Sequence, residues 1–149
     1  MRQENVILLV DDNPDFVELA RRAFLKNNLA NPIVVAEDGA EALDYLFATG
    51  AWADRTPAEN QVLIMLDLKL PKIDGLEVLR RLRADPRTCL IPVVILTTSS
   101  EEQDIIAGYE LGTNAYIRKP VDFKQLSEVL LQTGLFWLVV NEPPIAKGE

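Results

Sequence analysis

The run Val62-Leu63-Ile64-Met65-Leu66 contains no polar residue. A strand with one wet face alternates apolar and polar side chains. An unbroken apolar strand instead suits burial on both faces, as in a parallel sheet covered by helices. Four further apolar runs, at 6–10, 33–36, 93–96 and 115–117, alternate with text of helical period. Alternation of this kind predicts an α/β fold, a doubly wound five-stranded parallel sheet with helices on both faces. Helix starts are marked as well. Asn13-Pro14 offers an N-cap followed by proline at the first helical position. Asp38 with Glu41, Asp74 with Glu77, Ser100 with Gln103 and Asp122 with Gln125 repeat the spacing of a capping box. Between 48 and 61 the text is small and polar apart from Trp52, which reads as a surface excursion before the third strand.

At 149 residues the chain has the length of one domain with a full core. No apolar run approaches the ~20 residues of a membrane span, and the first five residues lack the parts of a signal peptide. The expectation is a soluble, cytoplasmic protein that does not enter a membrane. A net charge of −8 argues against binding nucleic acid, whose affinity rests on clustered Lys and Arg. Cys89 is the single cysteine, so no internal disulfide or cysteine metal cluster can form. With no histidine, the chain can supply neither a Ser-His-Asp site nor a phosphohistidine.

From Phe123 onward apolar residues recur with helical spacing, and the run LFWLVV at 135–140 is apolar nearly all round. Successive helical residues point about 100° apart, so this run cannot lie wholly against one sheet. Either the helix folds back into its own core, or Leu135, Phe136, Trp137 and Val140 form a patch that joins two copies of the chain or docks a partner. Asn141-Glu142-Pro143-Pro144 should stop the helix and leave a loose tail.

The polar residues at strand ends carry the chemistry. Asp67 closes the buried third strand, at the end where open α/β sheets bind ligands. Asp11 and Asp12 close the first strand. In a sheet whose order reverses between strands one and three, the two ends adjoin. Unit charges ~4 Å apart repel by about 4 kcal/mol at an effective dielectric of about 20, so three converging carboxylates call for a cation. Mg²⁺ suits such a set and readily takes phosphate oxygens at its open positions; Mn²⁺ or another divalent ion could replace it. Thr97 at the end of the fourth strand and Lys119 after the fifth add a hydroxyl and an ammonium. Cation, hydroxyl, ammonium and carboxylate together match the needs of a transferring phosphoryl group.

Asp11-Asp12, LDLKLPKIDG around Asp67, ILTTS around Thr97 and GTNAYIRKP ending at Lys119-Pro120 resemble the receiver domain of two-component response regulators. The resemblance covers about 6–131 of a single domain, with 132–149 as a C-terminal helix extension and tail. It implies strand order 2-1-3-4-5 and Asp67 as phosphoryl acceptor, the donor being a sensor histidine kinase. Asp11, Asp12, Asp67 and the backbone carbonyl of Lys69 would serve the metal, and Lys119 would pair first with Asp67 and then with the phosphoryl group. Thr97 and Tyr116 would form the conformational switch, with Tyr116 close to the face of the last helix. Lys69, Thr98 and Ser99 would tune the lifetime of the phosphorylated state, and the Lys119-Pro120 bond would be cis. Such a protein signals by conformational change and catalyses only its own phosphorylation and dephosphorylation. The insert before the third strand and Phe136-Trp137-Leu138 further resemble the stand-alone regulators partnered with cyanobacterial phytochromes, which dimerise through the C-terminal face. That narrower likeness implies a light-regulated kinase and no DNA-binding output domain.

Other classes share parts of this pattern. A haloacid-dehalogenase-type phosphatase also uses a strand-end Asp, a Thr or Ser, a Lys and Mg²⁺. It needs a second Asp two residues after the nucleophile, where Lys69 stands. A flavodoxin has the same architecture, but Asp11-Asp12-Asn13 replaces its hydroxyl-rich phosphate loop and would repel phosphate. A receiver-like interaction module that never takes phosphate would not require the full acidic set.

Overall fold

The computed structural model describes residues 6–54 and 61–142, the side chains of Gln61 and Val62 excepted. The 143–144 prolines, the tail and most of the second half of the 48–61 excursion lie outside the described residues. Strands β1 (Val6–Val10), β2 (Ile33–Ala36), β3 (Gln61–Leu66), β4 (Val93–Thr97) and β5 (Ala115–Arg118) form one parallel sheet in the order 2-1-3-4-5. Helices α1 (Pro14–Lys26), α2 (Gly39–Phe47), α3 (Gly75–Ala84), α4 (Glu102–Glu110) and α5 (Phe123–Leu135) complete the alternation.

Period-two alternation sends each strand's side chains into two cores. Leu8, Val10, Ile64, Leu66, Val93 and Ile95 pack with Leu46 of α2 and Val78, Leu79 and Leu82 of α3. Ile7, Leu9, Leu63, Met65, Val94 and Leu96 pack with Phe16, Ala20 and Phe24 of α1 and Leu130 of α5. Both faces of the central strands are therefore dry, which is why their sequence does not alternate. Each such side chain contributes roughly 1.5–3 kcal/mol by leaving water.

Caps set where the helices begin. Asn13 Oδ1 accepts from the Asp15 and Phe16 amides at 2.9 and 3.2 Å, Asp38 Oδ1 from Glu41 at 2.7 Å, and Asp74 Oδ1 from Glu77 at 3.0 Å. Asp122 caps α5 through the Lys124 amide at 3.1 Å, not through a box with Gln125. α4 starts after Glu101 rather than Ser100, and it is the Ser99 hydroxyl oxygen that accepts the Glu101 amide, at 3.4 Å. Ser99 is held in that place by other partners, described below.

The end of α5 and the last strand divide their aromatic side chains between the two cores. Phe136–Val140 continues α5 as a π-helical turn, closed by an Asn141 amide donating to the Phe136 carbonyl at 2.7 Å. Within it Trp137 and Leu138 are partly buried, packed on the α1/α5 core. Leu135, Phe136, Val139 and Val140 remain exposed. Tyr116, in register with Ile95, packs partly against the opposite core, on the α4 side. Trp52 anchors the start of the excursion, its ring edge-on to Tyr45 with centroids 4.9 Å apart.

Candidate phosphoryl-acceptor site

The strand order reverses between β1 and β3, and their carboxyl ends place Asp11, Asp12 and Asp67 side by side. Carboxylate oxygens of the three lie within 4.8 Å of one another. Asp11 and Asp67 are buried and Asp12 is exposed, so the cluster opens to solvent on one side. Asp67 is fixed by backbone: its amide donates to the Val10 carbonyl at 3.0 Å, and the Asp11 amide donates to Ala36 at 3.0 Å. The loop after Asp67 folds tightly onto α3. The Gly75 amide donates to the Leu68 carbonyl at 3.0 Å, and a methyl group on Gly75 would overlap the Asp67 carbonyl oxygen.

Lys119 is buried among these acids. Its Nζ donates to Asp11 Oδ2 at 2.6 Å and lies 3.6 Å from Asp67 Oδ2, with the Phe16 ring centroid 4.0 Å away. The expected pairing with Asp67 is present, and a shorter one with Asp11, the more buried carboxylate, stands beside it. Burial pushes the Asp11 carboxyl up, and its hydrogen bond and charge pairing with Lys119 pull against that rise. Three carboxylates face one ammonium, and a set of hard oxygen donors with surplus negative charge is one that fits a divalent cation. The Lys119-Pro120 bond is trans, contrary to expectation, as no cis peptide occurs among the described residues. The ordinary trans preference of about 0.5–1 kcal/mol prevails there. The Lys119 amide still reaches the Thr97 carbonyl at 2.6 Å and locks β5 to β4 beside the site.

Thr97 is fully buried at the end of β4, and its Oγ1 accepts from the Ser99 amide at 3.4 Å. Thr98 is exposed. The Tyr116 hydroxyl donates to the Ser99 carbonyl at 3.0 Å, and burial pushes its ionisation up. Lys69 turns its side chain to solvent while its amide approaches Asp67 Oδ1 at 3.5 Å, which keeps the Lys69 peptide beside the carboxylates. Sequence reasoning overlooked two participants. Phe16 reads as an α1 core residue, with nothing to mark it as the ring beneath an ammonium. Asp104, acidic in the first turn of α4, accepts the Ser99 hydroxyl at 2.6 Å. Leu135, Phe136 and Val140 stand apart from all of this, because α5 runs back towards the amino end of the sheet.

A doubly wound sheet of order 2-1-3-4-5 with three carboxylates, a buried lysine and a strand-end threonine at its carboxyl rim defines the class of receiver proteins. Residues 7–131 match the response regulator receiver domain, and the chain belongs to that family. Response regulator Rcp1 of Synechocystis sp. is 38% identical over 141 residues, 95% of this chain and 94% of that one. The crystal structure of the Mn²⁺-bound form of Rcp1 superposes with a TM-score of 0.88, at 36% identity, over 95% of this chain and 99% of that one. The phosphorylated cyanobacterial phytochrome response regulator RcpA gives a TM-score of 0.88 at 38% identity, over 96% and 100%. The bacteriophytochrome response regulator AtBRR is 49% identical, with a TM-score of 0.72, over 95% and 100%. Receiver domains of this kind are signalling proteins that bind divalent metal. No helix among the described residues is long and apolar enough to cross a membrane.

Proposed function

We propose that this chain is a stand-alone response regulator that takes a phosphoryl group onto Asp67 from a sensor histidine kinase, with a phytochrome as the kinase. The observation that carries the reading is the enclosure of one carboxylate by two others within 4.8 Å and by a buried ammonium at 3.6 Å. The chain has no histidine, so the phosphohistidine is the partner's. An Asp67 oxygen attacks phosphorus, the phosphorus–nitrogen bond breaks with its electron pair returning to the imidazole, and an acyl phosphate forms. Asp11, Asp12, Asp67 and the Lys69 carbonyl would hold Mg²⁺, which would neutralise the phosphoryl oxygens. Lys119, already pinned between Asp11 and Asp67, balances the added charge without leaving its place. Thr97 turns its hydroxyl to the phosphoryl group, and the Ser99 carbonyl that Tyr116 holds moves with it. The likeness to the phytochrome response regulator RcpA and the bacteriophytochrome response regulator AtBRR supports the phytochrome link.

The test is incubation with Mg²⁺ and acetyl phosphate followed by intact mass. The parent gains one phosphoryl group and Asp67→Asn gains none. Labelling of that variant at the parent's rate would overturn the assignment, and steady phosphate release from many monoesters would favour a phosphatase.

The exposed Leu135, Phe136, Val139 and Val140 support a second part of the reading, a symmetric dimer through the C-terminal face. Each large apolar side chain left in water forgoes roughly 1.5–3 kcal/mol, and a twofold interface removes that loss for identical chains. Phe136→Asp should yield a monomer in sedimentation equilibrium where the parent dimerises at tens of micromolar. A monomeric parent, or a variant that dimerises as tightly, defeats it.

A further inference from the structure

Asp104 lies in the first turn of α4, outside the acidic cluster. Its Oδ2 accepts the Ser99 hydroxyl at 2.6 Å and stands 3.9 Å from Lys69 Nζ. These partners follow Thr97 and Asp67 by two residues each, and each is tied back to the residue it follows. The Lys69 amide approaches Asp67 Oδ1 at 3.5 Å, and the Ser99 amide approaches Thr97 Oγ1 at 3.4 Å. One carboxylate oxygen therefore gathers both loops that border the acceptor. The two halves of this bridge differ in strength. The Ser99 half is a short, charge-assisted hydrogen bond to a carboxylate that is only 17% exposed. The Lys69 ammonium is 66% exposed, so its attraction to Asp104 is weak and easily redirected.

We propose that Asp104 is a positioning residue for phosphoryl transfer at Asp67, one that holds the Lys69 ammonium on α4 and competes for it with a phosphoryl group at the acceptor. The inference rests on Asp67 being that acceptor. A phosphoryl donor brings negative charge to a rim that already carries three carboxylates. Lys119 is fixed in place between Asp11 and Asp67, whereas Lys69 is a cation at the same border that can still move. While Asp104 is charged, Lys69 is divided between α4 and the incoming anion. Once the phosphoryl group takes Lys69, the Asp104 carboxylate keeps Ser99 alone, and the charge balance at the start of α4 changes with the state of Asp67.

The test is the second-order rate of Asp67 labelling by acetyl phosphate, at low ionic strength and saturating Mg²⁺. Asp104→Asn keeps the side chain's size and an oxygen for the Ser99 hydroxyl but removes the charge. Glu102→Gln removes one charge from the same turn of α4 without either contact, and so measures the general effect of charge. Asp104→Asn should label about two- to fivefold faster than Glu102→Gln, an advantage that fades at high salt. Asp104→Glu, which restores the charge, should stay near the parent rate. In a Lys69→Ala background the advantage of Asp104→Asn should vanish. A purely structural role for Asp104 would not depend on Lys69. Equal rates for Asp104→Asn and Glu102→Gln, or an advantage that survives without Lys69, overturn the inference alone. A parent that takes no label overturns the reading of Asp67 and the inference with it.

Discussion

Two cationic side chains are drawn into this fold, at opposite ends of the same sheet, and they are satisfied in opposite ways. Arg83, at the end of α3, faces the amino ends of β4 and β5. Its guanidinium donates to the carbonyls of Gly112 at 2.8 Å, Ile91 at 2.8 Å and Cys89 at 3.0 Å, and to Asn114 Oδ1 at 3.0 Å. Every one of these acceptors is neutral. Burial depresses the guanidinium's basicity, and the group remains a fixed charge that stitches three chain segments together. Lys119, at the carboxyl end, is ringed by carboxylates in excess of its own charge. The first arrangement has its donors answered by fixed backbone. The second retains unbalanced negative charge, and a site with unbalanced charge responds when a cation or a phosphoryl group arrives.

The comparison can be broken most directly by exchanging each cation for an apolar chain of similar length. Lys119→Met should abolish labelling of Asp67 while the protein still folds, because the ammonium balances charge that develops at the acceptor. Arg83→Met should leave the part-buried Cys89 and Ile91 carbonyls without this donor and cost about 1–3 kcal/mol of stability. Its folded fraction should label at the parent rate. Urea denaturation and labelling on the two variants decide the matter. If Arg83→Met loses labelling in proportion to Lys119→Met, or if Arg83→Met is as stable as the parent, the division between structural and functional cations fails.

Much of the carboxyl rim was legible in the sequence because its parts are local. A buried strand announces itself by an unbroken apolar run, and whatever polar residue ends that run must sit at the rim, as Asp67, Asp11 and Thr97 do. Caps are local too, and Asn13, Asp38 and Asp74 act within three residues of themselves. What escaped depends on register and on choices between close alternatives. Which core receives Tyr116 follows from its pairing with Ile95, a fact of register that alternation alone does not supply. Lys119 bridges two acids, Asp11 at 2.6 Å and Asp67 at 3.6 Å, a sharing which no spacing encodes. Asp104 reaches Lys69 only through the path of the β4–α4 loop, and Arg83 looks like any solvated charge on a helix until Gly112 and Asn114 are folded against it. Trp137 is partly buried on the α1/α5 core within a last turn of π geometry, a widening that helical spacing does not announce.

A smaller effect sharpens the same contrast. If the surplus charge at the Lys119 end is what a divalent ion relieves, Mg²⁺ should raise the melting temperature of the parent and of Arg83→Met. The stabilisation should reach about 2.7 kcal/mol at a hundredfold excess over the dissociation constant. Asp12→Ala, which removes the exposed ligand, should lose most of it. In EDTA the burial of Asp11 gives a further sign. Its folded carboxyl is raised above the ordinary value, so the folded state binds the proton more readily than the unfolded one. Stability of the metal-free protein should therefore increase as the pH falls through that raised value, and Mg²⁺ should cancel the trend. Differential scanning calorimetry that found stability flat or falling over this range would remove the case for unrelieved charge at the rim.

The smallest effect concerns charges that belong to neither cation's neighbourhood and titrate in the opposite sense. Glu77 lies between Arg80 and Arg81, at 2.6 and 2.8 Å, and their hydrogen bonds hold its carboxyl down to about 2. Asp85 is held down to about 2 by the Arg87 side chain and amide. For a depressed carboxyl the folded state binds its proton less readily than the unfolded one. The stabilisation is thus complete above the ordinary carboxylate range and is lost as the pH falls through about 2. Both groups lie at the surface, where water and salt weaken ion pairs, so the loss should be slight beside that from Arg83→Met. The reading comes from carboxyl carbon shifts followed by NMR between pH 7 and 2. Glu77 and Asp85 should titrate well below free carboxylates at low salt, drift upward as salt is added, and leave labelling of Asp67 at neutral pH unchanged when Glu77 is replaced by Gln. Ordinary titration of both groups at low salt would show that these surface pairs do not persist in solution, and the acid limb of the stability profile would then belong to the Asp11 end alone.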